Sequence, residues 1–166
     1  MTKHPHHCRT IIEADWPAIL RIQSEVYYEF TPESEAVMRS KAIRGPGTSF
    51  VAVDQESEVI AYLLAHPYPP NRTAVLGTAE PSSSISTDNL FVHDLAVQKA
   101  SAGRGVAQAL FSQLTKVACT EGFRSMSLVA VQQAASFWTK MGFIPSKQAT
   151  INDSYTGDAT FMSRDL

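Results

Sequence analysis

Between Leu95 and Gln108 an apolar run, Leu95-Ala96-Val97, gives way to Lys99-Ala100-Ser101-Ala102-Gly103-Arg104-Gly105 and then to a helical pattern. Glycine takes left-handed backbone angles without a Cβ penalty, so Gly103 and Gly105 can turn their amides outward. The first N–H groups of the helix that follows are unpaired and lie at the positive end of its dipole. Together these features suit a phosphate or pyrophosphate. A tight strand-to-helix turn without a ligand would use the same glycines, so the segment alone leaves both readings open. Two familiar phosphate loops do not fit it. The chain has no Gly-Lys pair for a Walker A loop. A dinucleotide fingerprint begun at Gly103 meets Gln108 where its third glycine belongs, and the next strand ends Val129-Ala130-Val131-Gln132 with no acid after it.

A second chemical feature lies just upstream, His93 in Phe91-Val92-His93-Asp94-Leu95-Ala96-Val97. Imidazole has an unperturbed pKa near 6.5 and can act as a base at neutral pH. It can equally be a structural group hydrogen-bonded inside a sheet. Strict strand alternation groups His93 with Phe91, Leu95 and Val97, and Asp94 with Val92 and Ala96. Asp94 is the reserve base or an orienting partner, with a buried pairing role as the plainer alternative. Neither cysteine reads as a nucleophile, since Cys8 is near the terminus and Cys119 lies within a helical pattern. His4, His6, His7 and Cys8 could ligate a metal, but no second ligand cluster accompanies them, and no metal is expected.

The elements that must hold these residues follow from periodicity. A strand over Cys8–Ile12 precedes a helix from an Asp15 cap, with Pro17 in its first turn, to about Glu29. Ile19, Leu20, Ile22 and Val26 form its apolar stripe. Thr31-Pro32-Glu33 repeats the cap-then-proline signal and opens a shorter helix that ends near Arg44, before Gly45-Pro46-Gly47. Ser49–Asp54 and Glu58–Ala65 read as a hairpin. Residues 67–89, with four prolines and Ser82-Ser83-Ser84, form a long irregular connection of the kind that is often functional or mobile. A strand over Leu90–Val97, a helix over Arg104–Glu121 ended by Gly122, and a strand over Ser125–Val131 make a crossover unit whose strands should be parallel neighbours. A short helix over Gln133–Met141, then strands over Phe143–Lys147 and Tyr155–Ser163, complete the order β-α-α-β-β-β-α-β-α-β-β. The fold class is therefore α/β, one domain over residues 1–166, with a mixed central sheet.

Composition narrows the function. With 14 basic and 16 acidic residues the net charge is −2, which argues against a nucleic-acid binder or an anionic-membrane binder. No apolar run approaches the roughly 18–20 residues of a membrane span, and the N-terminus lacks the apolar stretch of a signal peptide. Two cysteines are too few for a disulfide framework, so a cytoplasmic location is expected.

A third phosphate-binding pattern does fit. Ala102-Gly103-Arg104-Gly105-Val106-Ala107 resembles the Arg/Gln-x-x-Gly-x-Gly/Ala turn of the GNAT superfamily of N-acetyltransferases, at the usual distance after Leu95-Ala96-Val97. Ala134-Ala135-Ser136-Phe137-Trp138-Thr139-Lys140-Met141-Gly142-Phe143 is similar to that family's second signature, Ala-x-x-aromatic-Tyr-x-x-x-Gly-Phe. With the opening β-α-α-β-β order, the resemblance covers nearly the whole chain.

The resemblance implies a GNAT fold with acetyl-CoA as cosubstrate between two splayed strands. It assigns the pyrophosphate cradle to Gly103, Arg104, Gly105, Val106, Ala107 and Gln108. It assigns the pantetheine and acyl carbonyl to backbone groups of Leu95, Ala96 and Val97, where an N–H can stabilise an oxyanion. Phe137 and Trp138 would wall the cofactor cleft. His93 matches the position of a catalytic histidine in the serotonin N-acetyltransferases, a branch of the family, and would deprotonate the amine acceptor. Two departures stand out. Ala102 replaces the Arg or Gln the family prefers, and Trp138 replaces a tyrosine that often protonates the leaving thiolate. Indole offers no acidic proton, which leaves Tyr155 as the candidate acid or departure of the thiolate unassisted. The acceptor, a small-molecule or peptide amine, would lie against Tyr27, Tyr28, Glu29, Phe30 and the 67–89 connection. The function implied is N-acetyl transfer to a primary amine by direct attack. The alternatives are an acyl-CoA-binding sensor or scaffold that has lost turnover, or an interaction domain with a decayed pocket. Family habit adds a homodimer, which no residue pattern here carries.

Overall fold

The computed structural model describes residues 5–27, 31–81, 86–155 and 157–166. Helix α1 (Trp16–Val26) carries Pro17 in its first turn, where a missing N–H costs nothing. Ile19 and Ile22 on its inner stripe are fully buried. The helix stops at Val26 and Tyr27 is extended, three residues before the expected end; Tyr28, Glu29 and Phe30 lie outside the described residues. Asp15 stands at the N-cap position, but its carboxylate serves β1 (His7–Thr10) instead. It accepts two hydrogen bonds from Arg9, at 2.7 and 2.8 Å, and one from the Ile12 N–H. Helix α2 (Glu35–Arg44) is capped by Ser34, whose Oγ accepts from the Val37 N–H, so the cap lies three residues beyond Thr31.

Strands β2 (Phe50–Val53), β3 (Val59–Pro67), β4 (Asn89–Val97), β5 (Ser125–Ala130), β6 (Ile144–Pro145) and β7 (Thr160–Asp165) join β1 in a seven-stranded sheet of order β1-β2-β3-β4-β5-β7-β6. The last strand begins at Thr160, later than the expected Tyr155. Helix α3 (Val106–Thr120) links the parallel neighbours β4 and β5, and α4 (Ala135–Lys140) follows β5. Ile19, Ile22 and Met38 of α1 and α2 pack on one face, against Val51, Tyr62, Leu64 and Ala96. Val106, Leu110, Leu114 and Trp138 of α3 and α4 pack on the other, against Phe50, Leu63, Val92 and Leu128. Among the described residues no helix is long and apolar enough to cross a membrane.

Two irregularities in β4 interrupt the regular sheet. First, β4 and β5 pair only at Asn89–Ser125, Leu90–Met126 and Phe91–Ser127. Beyond Phe91 the strands part, while β5 keeps its other partner as far as Ala130 opposite Thr160. Second, Val92 faces Ala65 and Asp94 faces Leu64, which leaves His93 as the extra residue of a β-bulge. The bulge resets the alternation. Val92 packs in the α3-side core with Leu95 and Val97, whereas Asp94 bonds Tyr62 of the α1-side core. The expected grouping of Asp94 with Val92 is corrected accordingly.

Candidate active site

At the bulge, His93 Nε2 lies 2.5 Å from Glu33 Oε1. Both side chains are almost fully buried. Glu33 stands in the connection before α2, and Gln23 of α1 holds its backbone from both sides. The Glu33 N–H donates to Gln23 Oε1 at 2.9 Å, and Gln23 Nε2 donates to the Glu33 carbonyl at 3.0 Å. The other carboxylate oxygen accepts from the Gly77 N–H at 2.8 Å. Burial pushes the Glu33 carboxyl up, but the His93 hydrogen bond and charge, the Gly77 amide and Lys41 together outweigh it and hold the group below its ordinary value. With Glu33 ionised, Nε2 is the donor in this contact and the ring's other nitrogen is Nδ1. That Nδ1 is buried and has no hydrogen-bond partner among the described residues. The buried His66 ring lies 6.2 Å from the His93 ring, tilted by 44°.

Asp94, carried to the same side by the bulge, accepts from the Tyr62 hydroxyl at 2.6 Å through Oδ2. Its Oδ1 is buried without a partner among the described residues. Burial raises this carboxyl to about 6, with His93 and the hydroxyls of Tyr27 and Tyr62 pulling it partly back.

A cavity of about 260 Å³ occupies the gap between β4 and β5 and runs from Glu33, His93 and Asp94 on one side to Val129, Ala107 and Trp138 on the other. Gln98 N donates to the Ile60 carbonyl at 2.9 Å. Antiparallel alternation then turns the backbone groups of Ala96 to β3 and those of Leu95 and Val97 to the gap. The Tyr27 hydroxyl, from the end of α1, reaches the Leu95 carbonyl at 3.0 Å. Gln132 closes the far rim by donating to the Val26 carbonyl at 3.1 Å, and both Gln132 and Gln133 sit at positive φ, 49° and 65°. Strained backbone of this kind persists where surrounding structure enforces it.

Below the gap, Gly103 and Gly105 adopt φ of 75° and 78°. Gly105 is the N-cap of α3 and offers no capping side chain to the amides of Val106, Ala107 and Gln108. A Cβ at either glycine would meet only open space. The glycines are thus required for their backbone angles, and the space beside them is free for an anion; a pyrophosphate fits this uncapped end of a 15-residue helix. Arg104 is exposed between them. Phe137 and Trp138 both line the cavity, and Trp138 also packs edge-on against Phe111 and Phe143.

Tyr155 lines the cavity from the segment after β6, but its hydroxyl donates to the Ala74 carbonyl at 2.7 Å. Burial and the nearby carboxylates hold the phenol far above its ordinary value. The connection 67–81 is strapped at several points rather than loose. Gly77 N bonds Glu33, Leu76 N bonds Ser154 Oγ, and the fully buried Lys41 pairs with Glu80 at 2.8 Å. Residues 82–85 of the expected acceptor wall lie outside the described residues. Glu33, Gln23 and the bulge at His93 are parts of the site that sequence reasoning missed. Among the described residues no group of three or more His, Cys, Asp or Glu could hold a metal ion.

Comparison with known proteins bears on this geometry. The model of the acetyltransferase (GNAT) family matches residues 16–143. Ard1 from Thermoplasma volcanium superposes with a TM-score of 0.75 at 16% identity, over 97% of both chains. A GCN5-related N-acetyltransferase from Kribbella flavida gives 0.68 at 24% identity, over 97% of this chain and 98% of that one. A phosphinothricin acetyltransferase from Sinorhizobium meliloti, in complex with AcCoA, gives 0.69 at 26% identity, over 97% and 88%. No curated protein matches the chain. The family match spans most of the sequence, the splayed sheet and the uncapped glycine turn fall inside it, and the chain therefore belongs to the GNAT family of acetyltransferases.

Proposed function

We propose that the protein transfers an acetyl group from acetyl-CoA to a primary amine by direct attack, with His93 as general base and Glu33 as the group that orients it. The observation that carries this reading is the 2.5 Å contact between His93 Nε2 and Glu33, with Nδ1 buried and without a partner among the described residues. Acetyl-CoA supplies the acetyl group already activated as a thioester. The amides of Gly103 to Gln108 would hold its pyrophosphate, the Leu95 N–H and the backbone groups of Val97 would pair with its pantetheine arm, and Phe137 and Trp138 would wall that arm.

An alkyl ammonium has a pKa near 10, close to that of lysine, and must lose its proton before it can attack. His93 Nδ1 would take that proton, and the imidazolium so formed would be stabilised by the Glu33 carboxylate, the arrangement of a base held by a third group. Asp94 is the reserve base. Tyr155 as proton donor to the leaving sulfur requires its bond to the Ala74 carbonyl to break. A thiol has an ordinary pKa near 8.5, so its anion can also depart without help. An intact buried base and carboxylate favour turnover over a binding-only scaffold. The test is release of free CoA thiol from acetyl-CoA across a panel of primary amines; release that rises with amine concentration supports the reading, and its absence on protein that binds acetyl-CoA would overturn it.

A further inference from the structure

We infer that the acceptor is a cationic amine with no carboxylate, phosphate or other anionic group close to its nitrogen. This deepens the acyl-transfer reading and rests on it for the identity of the site. The acceptor end of the cavity carries two carboxylates, Glu33 and Asp94, and among the described residues no lysine or arginine lines the cavity anywhere. Lys41, whose charge acts on Glu33, is fully buried and committed to Glu80.

Asp94 supplies the observation that points to a ligand. The residue is only 8% exposed, it lines the cavity, and its Oδ1 has no partner among the described residues. A buried carboxylate oxygen without a donor is costly, and an N–H donor brought by a ligand would satisfy it. An ammonium does this and is attracted by both carboxylates. A carboxylate one carbon away from the amine would be brought into a buried space that already holds two carboxylates, with His93 committed to Glu33 and no lysine or arginine in the lining among the described residues. Like-charge juxtaposition of that kind costs several kcal/mol. The acceptor class this selects is the simple alkyl or arylalkyl amine and the amide-bearing amine; free α-amino acids are rejected.

The experiment uses matched sets: phenylalanine, phenylalanine amide and phenethylamine; arginine, arginine amide and agmatine. Each compound is tested at equal ionic strength, by its effect on the melting temperature of CoA-saturated protein and by initial rates with acetyl-CoA. The amide controls for the size of the carboxylate. Within a set, the amine and the amide should stabilise the protein and the amino acid should not, and kcat/KM should favour them by about tenfold or more. An amino acid that matches its amide in binding or rate overturns the inference, as does a panel in which no member stabilises the protein. Selective binding with no CoA release would leave the charge selection standing and overturn the acyl-transfer reading instead. Asp94→Asn should narrow the ratio between amide and amino acid. Glu33→Gln provides the same readout should Asp94→Asn fail to fold. An unchanged ratio in the folded variants would mean that the carboxylates are not its source.

Discussion

Nε2 of His93 lies 2.5 Å from Oε1 of Glu33 although sixty residues of chain separate them. The contact is made possible by the bulge that turns His93 toward α1 and by the paired hydrogen bonds through which Gln23 holds the Glu33 backbone. Glu33→Gln keeps the shape and removes the charge that stabilises an imidazolium. Its kcat should fall by roughly 10- to 100-fold, part of the range that acid–base catalysis contributes, with little change in KM for acetyl-CoA. Steady-state rates at saturating amine check this; an unchanged kcat would reduce Glu33 to a structural partner.

Asp94 links the site to stability. Its folded-state carboxyl is raised from the ordinary 3.8 to about 6, so protonation favours the fold. That contribution is fully present below pH 3.8 and is lost as pH rises through about 6. Asp94→Asn cannot titrate, so its stability relative to wild type should improve as pH rises across this window. The gain is about 3 kcal/mol at ~1.4 kcal/mol per pH unit. Urea unfolding of both proteins on either side of the window measures it, and a constant difference would contradict the assignment.

Gly105→Ala places an L side chain at φ 78°. Nothing within 4 Å opposes the new Cβ, so the cost is that of the left-handed backbone, about 1–2 kcal/mol. The same carbon would intrude where a pyrophosphate is proposed to sit. KM for acetyl-CoA should rise by about tenfold, equivalent to ~1.4 kcal/mol of lost binding, while kcat stays near wild type. Initial rates against acetyl-CoA concentration decide this, and an unchanged KM would mean that the glycine serves only the turn.

Much of this architecture was legible in the residues. The glycine turn, α3 and the order of elements follow from local signals, because Gly103, Gly105, Gly122 and the apolar stripe of α3 are fixed by backbone angle and periodicity. His93 also stood out by type and position. Glu33 did not, because its place depends on Gln23 reaching across a connection of irregular backbone, and no spacing rule relates residues 33 and 93. The bulge carries no glycine or proline to mark it, so strict alternation grouped Asp94 with Val92 although the two face opposite sides of the sheet. Asp15 shows the same limit. A cap residue was readable, but its preference for Arg9 on β1 is a tertiary choice.

Tyr155→Phe separates two roles. The hydroxyl is committed to the Ala74 carbonyl, and burial makes the phenol a reluctant acid. The variant should therefore lose less than about tenfold in kcat and about 1 kcal/mol of stability from the missing hydrogen bond. Paired kinetics and urea unfolding read both quantities. A loss of about 100-fold or more in kcat with unchanged stability would make Tyr155 the proton donor.

The measurement that bears most directly on the proposed chemistry is CoA release by His93→Ala beside wild type, at saturating acetyl-CoA and an amine that wild type acetylates. Binding of acetyl-CoA is followed in parallel by melting temperature. With His93 as the base, the variant should still bind acetyl-CoA while its kcat falls by roughly 10²- to 10⁴-fold, the contribution of a positioned base. A variant that binds acetyl-CoA and turns over at the wild-type rate would contradict the assignment of His93 as the base.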